Sequence, residues 1–235
     1  MSKSLFVIQS NYIPWKGYFD AINSVDTVVI YDEMQYTKND WRNRNIIKTQ
    51  TGLQWLTMPI SFSGKFGQKI NEAQVSNDIW RKKHWKSIVQ NYNKAPFFHL
   101  YKDVFEEIYL GNFFSASSYL TDINILFIQT INKILGIETE IIRSRDLILD
   151  GDKNERLIGI CKQLKVDHYL SGPAAKSYMD EPSFNKNQIN VSYVDYLGYP
   201  EYDQLFGSFE HGVSIIDLIF NKGEEAIHYM KSFKK

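Results

Sequence analysis

Polar and aromatic side chains are concentrated at two points of the chain, residues 9–18 and 32–36, each directly after an apolar run. The two segments offer amides, phenols, an indole and a carboxylate, which are costly to bury beside apolar residues unless something binds to them. They therefore indicate a ligand site, although Asn11 and Gln35 could instead only tie the two loops together. The candidate binding residues in these segments are Gln9, Asn11, Tyr12, Trp15, Tyr18 and Gln35.

Residues 39–45 form the densest polar segment, with two arginines one residue apart among amides and an indole. Guanidinium groups bind carboxylate or phosphate bidentately, so this segment could hold an anionic group. On a strand both arginines would point the same way, whereas in a loop only one need reach the ligand. The alternative is a solvated strand edge with ordinary surface salt bridges. The candidates here are Trp41, Arg42, Asn43 and Arg44.

A third candidate segment, residues 171–178, follows another apolar run. Its small residues would let the backbone approach an anion, and its lysine would let a cation reach the same group. A routine strand-to-helix turn is the alternative, because the G-x-x-x-x-G-K pattern of a phosphate loop is absent. The candidates are Ser171, Lys176 and Tyr178.

Several catalytic patterns are missing from the sequence. It contains no G-x-G-x-x-G, no G-x-S-x-G and no C-x-x-C, and no two histidines stand at metal-ligand spacing. Cys161 lies on an apolar helical stripe with Leu157, Ile160 and Leu164, where a thiol behaves as a small hydrophobe. Covalent catalysis through Ser or Cys is therefore disfavoured, and we expect no metal.

Charge and cysteine content bound the partners and the compartment. The 27 basic residues balance the 27 acidic ones, which argues against a stable nucleic acid complex. The single cysteine fits a reducing compartment, and neither a signal peptide nor a transmembrane run is recognisable. We expect a cytoplasmic protein; a homo-oligomer remains open.

Strand and helix patterns alternate along the chain. Residues 5–8 and 26–31 predict buried parallel strands, joined by a helix that begins near Pro14. Thr51 and Gly52 predict a β-hairpin, and later patterns predict further strands and helices, the last helix over residues 224–233. We expect one α/β domain over residues 1–235, a three-layer Rossmann-like parallel sheet with an inserted hairpin. Residues 78–136 form a helical segment that could act as a lid or subdomain. Because ligands bind beyond the carboxyl ends of parallel strands, the clusters after the first two strands should share one crevice.

These segments together resemble the WbqC-like family of bacterial surface-polysaccharide gene clusters. The likeness covers nearly the whole chain: residues 8–19 (IQSNYIPWKGYF), 32–36 (DEMQY), 41–45 (WRNRN), 54–59 (QWLTMP), 169–172 (YLSG) with Lys176 and Tyr178, 202–204 (YDQ) and 214–218 (SIIDL). Ser10 and Met34 stand where Pro and Val are expected. The first βαβ unit is also similar to the HIGH-motif nucleotidyl-transferase fold, with Tyr18 in the place of the second His.

The resemblance implies an amide-forming aminoacyl transferase, glycyl in particular, or an acyltransferase. Its acceptor would be a nucleotide-linked amino sugar in O-antigen, lipopolysaccharide or other surface-polysaccharide synthesis. The acceptor amine would be the nucleophile, so the protein need only position it, accept a proton and stabilise an oxyanion. Asp32, the first charged residue after its strand, or His84 would accept the proton, and Gln204 joins the candidate binding residues. Asp32 could instead cap a turn or pair with an arginine.

Two other functions remain open. An ATP-dependent ligase would adenylate the amino acid first, so that ATP or an activated acyl donor would be the co-substrate, and the cofactor is otherwise unknown. A non-catalytic sugar-nucleotide-binding or scaffold protein would need the aromatic groove but no proton acceptor.

Overall fold

The computed structural model describes residues 2–61, 67–113 and 117–233 as an α/β fold with a five-stranded parallel sheet and a separate antiparallel hairpin. The strands are β1 (Ser4–Ile8), β2 (Thr27–Ile30), β3 (Arg44–Thr49), β4 (Gly52–Thr57), β5 (Glu140–Arg143), β6 (His168–Ser171) and β7 (Asn190–Tyr193). The α-helices are α1 (Lys16–Asn23), α2 (Ile79–Tyr92), α3 (Phe98–Leu110), α4 (Leu120–Leu135), α5 (Lys153–Gln163), α6 (Glu181–Lys186) and α7 (Ile215–Lys222). Short 3₁₀ helices cover Ile70–Glu72, Ser144–Asp146, Pro173–Ser177 and Gly223–Tyr229.

The predicted βαβ unit is confirmed, because β1 and β2 pair in parallel from Leu5 opposite Thr27 to Ile8 opposite Ile30. The helix between them begins at Lys16 rather than near Pro14, with Trp15 at its N-cap. The two faces of β1 are buried in different layers. Leu5 belongs to an apolar cluster with α5 and α6, and Phe6 belongs to a larger cluster with α1, α4 and α7. This arrangement gives the expected three layers.

The strand order β5-β2-β1-β6-β7 places β1 at the centre of the sheet. The chain builds outward from β1 through β2 to β5, and then returns to the other side of β1 with β6 and β7. The connection that leaves β1 and the connection that leaves β6 therefore lead toward opposite edges of the sheet. In open α/β sheets a crevice forms at such a point, outside the carboxyl ends of the two strands.

The hairpin and the helical segment follow the sequence pattern. β3 and β4 pair across Thr49 and Gly52, and α4 ends at Gly136, whose left-handed conformation (φ 71°) forms the helix C-cap. Helices α2, α3 and α4 contribute to the same large apolar cluster as α1. Residues 114–116 of the predicted helical segment lie outside the described residues. No helix in the described ranges combines the length and apolarity needed to cross a membrane.

The helix predicted over residues 224–233 is wrong in type and extent, because Gly223–Tyr229 forms a 3₁₀ helix and Met230 is extended. Asp20 on α1 explains the early end. Its carboxylate accepts hydrogen bonds from the backbone N–H groups of Lys231 (2.9 Å) and Ser232 (2.7 Å), which a continuing helix would have used internally.

Candidate functional site

A cleft of about 850 Å³ opens where β1 and β6 end, and we refer to it as the switch-point cleft. Its floor is formed by residues at the carboxyl ends of the two strands, including Gln9 and Asn11 after β1 and Ser171 at the end of β6. The aromatic residues in its lining are Phe6, Tyr31, Trp41, Tyr169, Tyr178 and Tyr196. The position agrees with the crevice expected from the strand order.

The charged side chains that line the switch-point cleft are all basic: Arg42, Lys153 and Arg156. Among the residues that the structure describes, none that lines it is acidic. Because the chain as a whole carries equal numbers of both signs, this local excess favours an anionic ligand. Lys153 and Arg156 are not among the binding residues predicted from the sequence. Residues three apart share a helix face, so extending the Cys161 stripe back to the start of α5 would have placed them on one side.

Arg42 and Arg44 differ in environment. Arg42 lies in a turn before β3, within 3.5 Å of Asp40, and lines the cleft. Arg44 begins β3, and its guanidinium carbon lies 4.0 Å from the centroid of the Trp55 ring, on the hairpin. The loop alternative therefore applies, and only one of the two arginines lines the switch-point cleft.

Lys153 and the third candidate segment meet at the mouth of the cleft. Ser171 ends β6, and Pro173–Ser177 forms a 3₁₀ helix before Tyr178. The Lys153 ammonium lies 4.6 Å from the centroid of the exposed Tyr178 ring, close enough for a cation–π contact. Lys176 does not line the cleft, because its ammonium lies against Tyr193, 5.1 Å from the ring centroid.

A smaller pocket of about 310 Å³ adjoins the cleft, and we call it the tryptophan pocket. The two cavities share Asn11 and Trp41 as common walls. The remaining lining residues of the tryptophan pocket are Pro14, Trp15, Asn45 and Gly212.

Asp32 does not face the cleft as the sequence predicted. Its side chain is 3% exposed and accepts hydrogen bonds from the Ser10 N–H (2.8 Å), the Ser10 hydroxyl (2.6 Å) and the Thr121 hydroxyl (2.5 Å). Burial raises the pKa of the Asp32 carboxyl, and the hydrogen bonds from Ser10 and Thr121 oppose that rise. The carboxylate thus joins the β1 and β2 loops to α4, a structural role that differs from the turn cap and the arginine pair considered from the sequence.

His84 is also buried away from the cleft. Its Nδ1 atom shares a 2.9 Å hydrogen bond with the Tyr12 hydroxyl, which in turn lies 2.6 Å from the Tyr109 hydroxyl. Burial lowers the pKa of His84 to about 4, and a hydrogen bond with the Thr57 backbone opposes this shift. Neither predicted proton acceptor lines the cleft or the tryptophan pocket, so the predicted contact with substrate does not fit this geometry.

Five further candidates serve other contacts. Tyr12 is buried beside His84, the buried Tyr18 donates to the Gln9 carbonyl, and the buried Asn43 donates to the Met58 carbonyl. Gln204 bridges the Lys48 ammonium and the Asp217 carboxylate, and Gln35 is exposed in a bridge with Lys69. The candidates that line the switch-point cleft are Gln9, Asn11, Trp41, Arg42, Ser171 and Tyr178, and Trp15 lines the tryptophan pocket.

The described residues offer neither a group of metal ligands nor an exposed thiol. Within them, no three His, Cys, Asp or Glu side chains come together so that they could hold a metal ion. Cys161 is fully buried in the apolar cluster of α5, as predicted, and burial raises the pKa of its thiol to about 12.

The chain is similar to known sequences over nearly its whole length. Residues 9–229 match the family model of the WbqC-like protein family. A protein of Mycobacterium tuberculosis named "Uncharacterized protein Rv1507c" is 46% identical over 229 residues, which cover 97% of this chain and 98% of that protein. No solved structure matches.

Proposed function

Because the chain belongs to the WbqC-like protein family and its cleft is basic and aromatic, we propose that it binds a nucleotide-linked amino sugar there and transfers an acyl or aminoacyl group to the sugar's amine. The observation that carries this proposal is the lining of the switch-point cleft, whose charged members among the described residues are Arg42, Lys153 and Arg156, with no carboxylate in the lining. Asp40, the ion-pair partner of Arg42, lies outside that lining. A diphosphate supplies the complementary charge.

The other parts of a sugar nucleotide also fit this cleft. The rings of Trp41, Tyr178 and Tyr196 offer flat faces for a nucleobase. The volume of about 850 Å³ lies within the range of small-molecule sites, and the location between β1 and β6 is where α/β sheets bind nucleotides. The combination of cations with aromatic faces favours a nucleotide-linked ligand over a simple carboxylic acid.

The reaction proposed needs no protein nucleophile. The nitrogen of the neutral sugar amine attacks the acyl carbon of an activated donor, the bond from that carbon to the leaving group breaks, and the amine proton departs with the leaving group. The amide groups of Gln9 and Asn11 line the cleft and could donate hydrogen bonds to the oxyanion that forms. With Asp32 and His84 buried, positioning of the two substrates supplies most of the rate.

The first test measures nucleotide binding by calorimetry. A nucleoside diphosphate should bind the wild-type protein, and Arg156→Ala should weaken it about tenfold, or about 1.4 kcal/mol. Lys162→Ala is the matched control, because Lys162 is exposed on the same helix but does not line the cleft. Absence of binding by every nucleoside diphosphate and sugar nucleotide tested would end the proposal.

The second test looks for turnover by mass spectrometry. Purified protein, an aminosugar nucleotide and an activated acyl donor should yield the amide, and an amino-acid thioester is a suitable donor. Omission of either substrate should abolish the product.

Two alternatives each have one observation in their favour. The basic cleft would also accept ATP, in which case adding an amino acid should release AMP and pyrophosphate. Tyr18 argues against a HIGH-type site, because its hydroxyl is buried against the Gln9 carbonyl.

The burial of Asp32 and His84 favours a non-catalytic binding protein. That function predicts tight sugar-nucleotide binding without turnover for any donor.

A further inference from the structure

The two adjoining cavities differ in charge. The switch-point cleft contains three cations, whereas the described residues that line the tryptophan pocket include no ionisable side chain. A ligand with an anionic part and an uncharged part would match the two cavities. A sugar nucleotide has this form, with a diphosphate on one side and a sugar ring on the other.

We infer that the tryptophan pocket is the subsite for the amino-sugar ring, and that Asn11 at the junction of the two cavities contacts the reacting amine. This inference rests on the proposed function and assigns one part of the ligand to each cavity. The indoles of Trp15 and Trp41 line the pocket, and aromatic rings of this kind pack against the C–H groups of a sugar ring. Such pockets combine aromatic walls with a small number of polar groups that orient the ligand.

Asn11 is the polar group available to a ligand at this junction. Its Oδ1 atom is buried and has no hydrogen-bond partner among the described residues. A buried acceptor without a partner costs free energy, which a ligand N–H would recover. An amine that donates one N–H to Asn11 Oδ1 keeps its lone pair free for attack on the acyl carbon.

The other asparagine of the pocket, Asn45, is already occupied. Its Nδ2 donates to the Tyr12 and Ile13 carbonyls at 3.0 and 2.9 Å, and its Oδ1 accepts from the Ile46 N–H at 2.7 Å. Asn45 therefore forms part of the wall and holds the loop in place, which leaves Asn11 to contact the ligand.

The backbone before Trp15 is held in an unusual conformation. Ile13 has φ of 37°, in the left-handed region that β-branched residues rarely adopt. Its carbonyl accepts hydrogen bonds from Asn45 and from the Ser214 hydroxyl (2.7 Å), which hold this conformation. Strained backbone is often maintained at ligand sites because it aims particular side chains, and here Pro14 and Trp15 follow directly.

The test compares three ligands by calorimetry. UDP, dTDP, GDP and ADP are screened first, and the nucleotide that binds best is then used alone, linked to a hexose and linked to an aminohexose. Wild-type protein should bind the aminohexose form most tightly. Trp15→Leu and Asn11→Ala should each weaken the aminohexose form tenfold or more, while affinity for the free nucleotide changes less than about twofold.

Controls separate subsite loss from misfolding. Asn112→Ala removes an exposed asparagine that lines neither cavity and should leave all three affinities unchanged. Trp15→Phe keeps an aromatic face and should retain more affinity for the sugar forms than Trp15→Leu. Thermal melting of every variant reports folding.

The outcomes distinguish this inference from the proposed function. If the nucleotide binds and Arg42→Ala weakens it, but Trp15→Leu and Asn11→Ala leave the aminohexose form unaffected, the subsite assignment is wrong and the nucleotide site stands. If Asn11→Ala weakens the hexose and aminohexose forms equally, the contact with the amine is wrong. If no nucleotide binds wild-type protein, the proposed function and this inference both fail.

Discussion

The indole of Trp15 lies directly over Gly17, so that a Cβ atom at position 17 would come within 2.3 Å of the ring atom Cζ2. This contact places the indole at the start of α1, as one wall of the tryptophan pocket. Gly17 therefore sets the position of a candidate binding residue without lining either cavity itself.

Gly17→Ala should displace the Trp15 indole and change the shape of the pocket. We expect affinity for an aminohexose-linked nucleotide to fall about tenfold, and affinity for the free nucleotide to be retained. Gly159→Ala on α5 is the matched control, because its added Cβ has no atom within 4 Å apart from its chain neighbours and the backbone of its own helix. That control should stabilise the fold by about 0.5–1 kcal/mol and leave binding unchanged. Equal binding by both variants and wild type would contradict the positioning role.

Arg42 and Arg44 should have different effects on nucleotide binding. Arg42→Ala removes a cation from the cleft and should weaken nucleoside diphosphate binding tenfold or more, by roughly 1.4 kcal/mol. Arg44→Ala removes only the stack on Trp55 and should change affinity less than about twofold. Calorimetry at two salt concentrations checks this, since the Arg42 contribution should shrink as salt screens it. A larger effect of Arg44→Ala would reverse the assignment.

Asp32→Asn should destabilise the fold and leave binding per folded molecule unchanged. The substituted amide has one acceptor atom in place of two, so part of the set of donors from Ser10 and Thr121 loses its partner, at a cost of about 1–3 kcal/mol. Urea unfolding at neutral pH measures the loss. The double variant with Thr121→Val should lose less free energy of unfolding than the sum of the losses in the two single variants. A variant of normal stability that binds both substrates without turnover would restore Asp32 as the proton acceptor.

His84 should make the protein less stable in mild acid. Its folded-state pKa of about 4 lies below the ordinary value of 6.5, so the unfolded chain takes up a proton before the folded chain does. The contribution of the neutral side chain is complete above pH 6.5 and is lost as pH falls toward 4, by roughly 3 kcal/mol in total. His84→Gln should lack this component when free energies of unfolding are compared across the window. Identical pH profiles for the two proteins would show that His84 is not buried neutral.

The sheet was predictable from sequence because its strands are short apolar runs with β-branched residues, such as Thr27–Ile30. The hairpin was predictable from Thr51 and Gly52, and the end of α4 from Gly136. These features depend on neighbours in the chain. The late 3₁₀ helix was not predictable, because its end depends on Asp20, more than two hundred positions earlier.

A cleft beyond the carboxyl end of β1 followed from the order of strands and helices. Its opening between β1 and β6, rather than between β1 and β2, and the exposure of its candidate residues did not. Asp32 is buried because Thr121, 89 positions away, reaches it from α4. Arg42 and Arg44 lie in different environments because β3 begins between them. The first residue of a strand is among the least certain features of a sequence prediction. Periodicity in α5 identified its apolar stripe but not that Lys153 and Arg156 face a cavity formed by distant loops.

The central position of β1 has a consequence for synthesis on the ribosome. Phe6 pairs with Leu170, so one edge of β1 has no partner strand until more than 160 further residues have been translated. At ordinary elongation rates that interval lasts roughly 10–30 s, during which an apolar strand edge is open to pairing with other chains. The nascent protein should therefore depend on chaperones more than its mature fold suggests, and slowing translation between β2 and β6 should increase its aggregation.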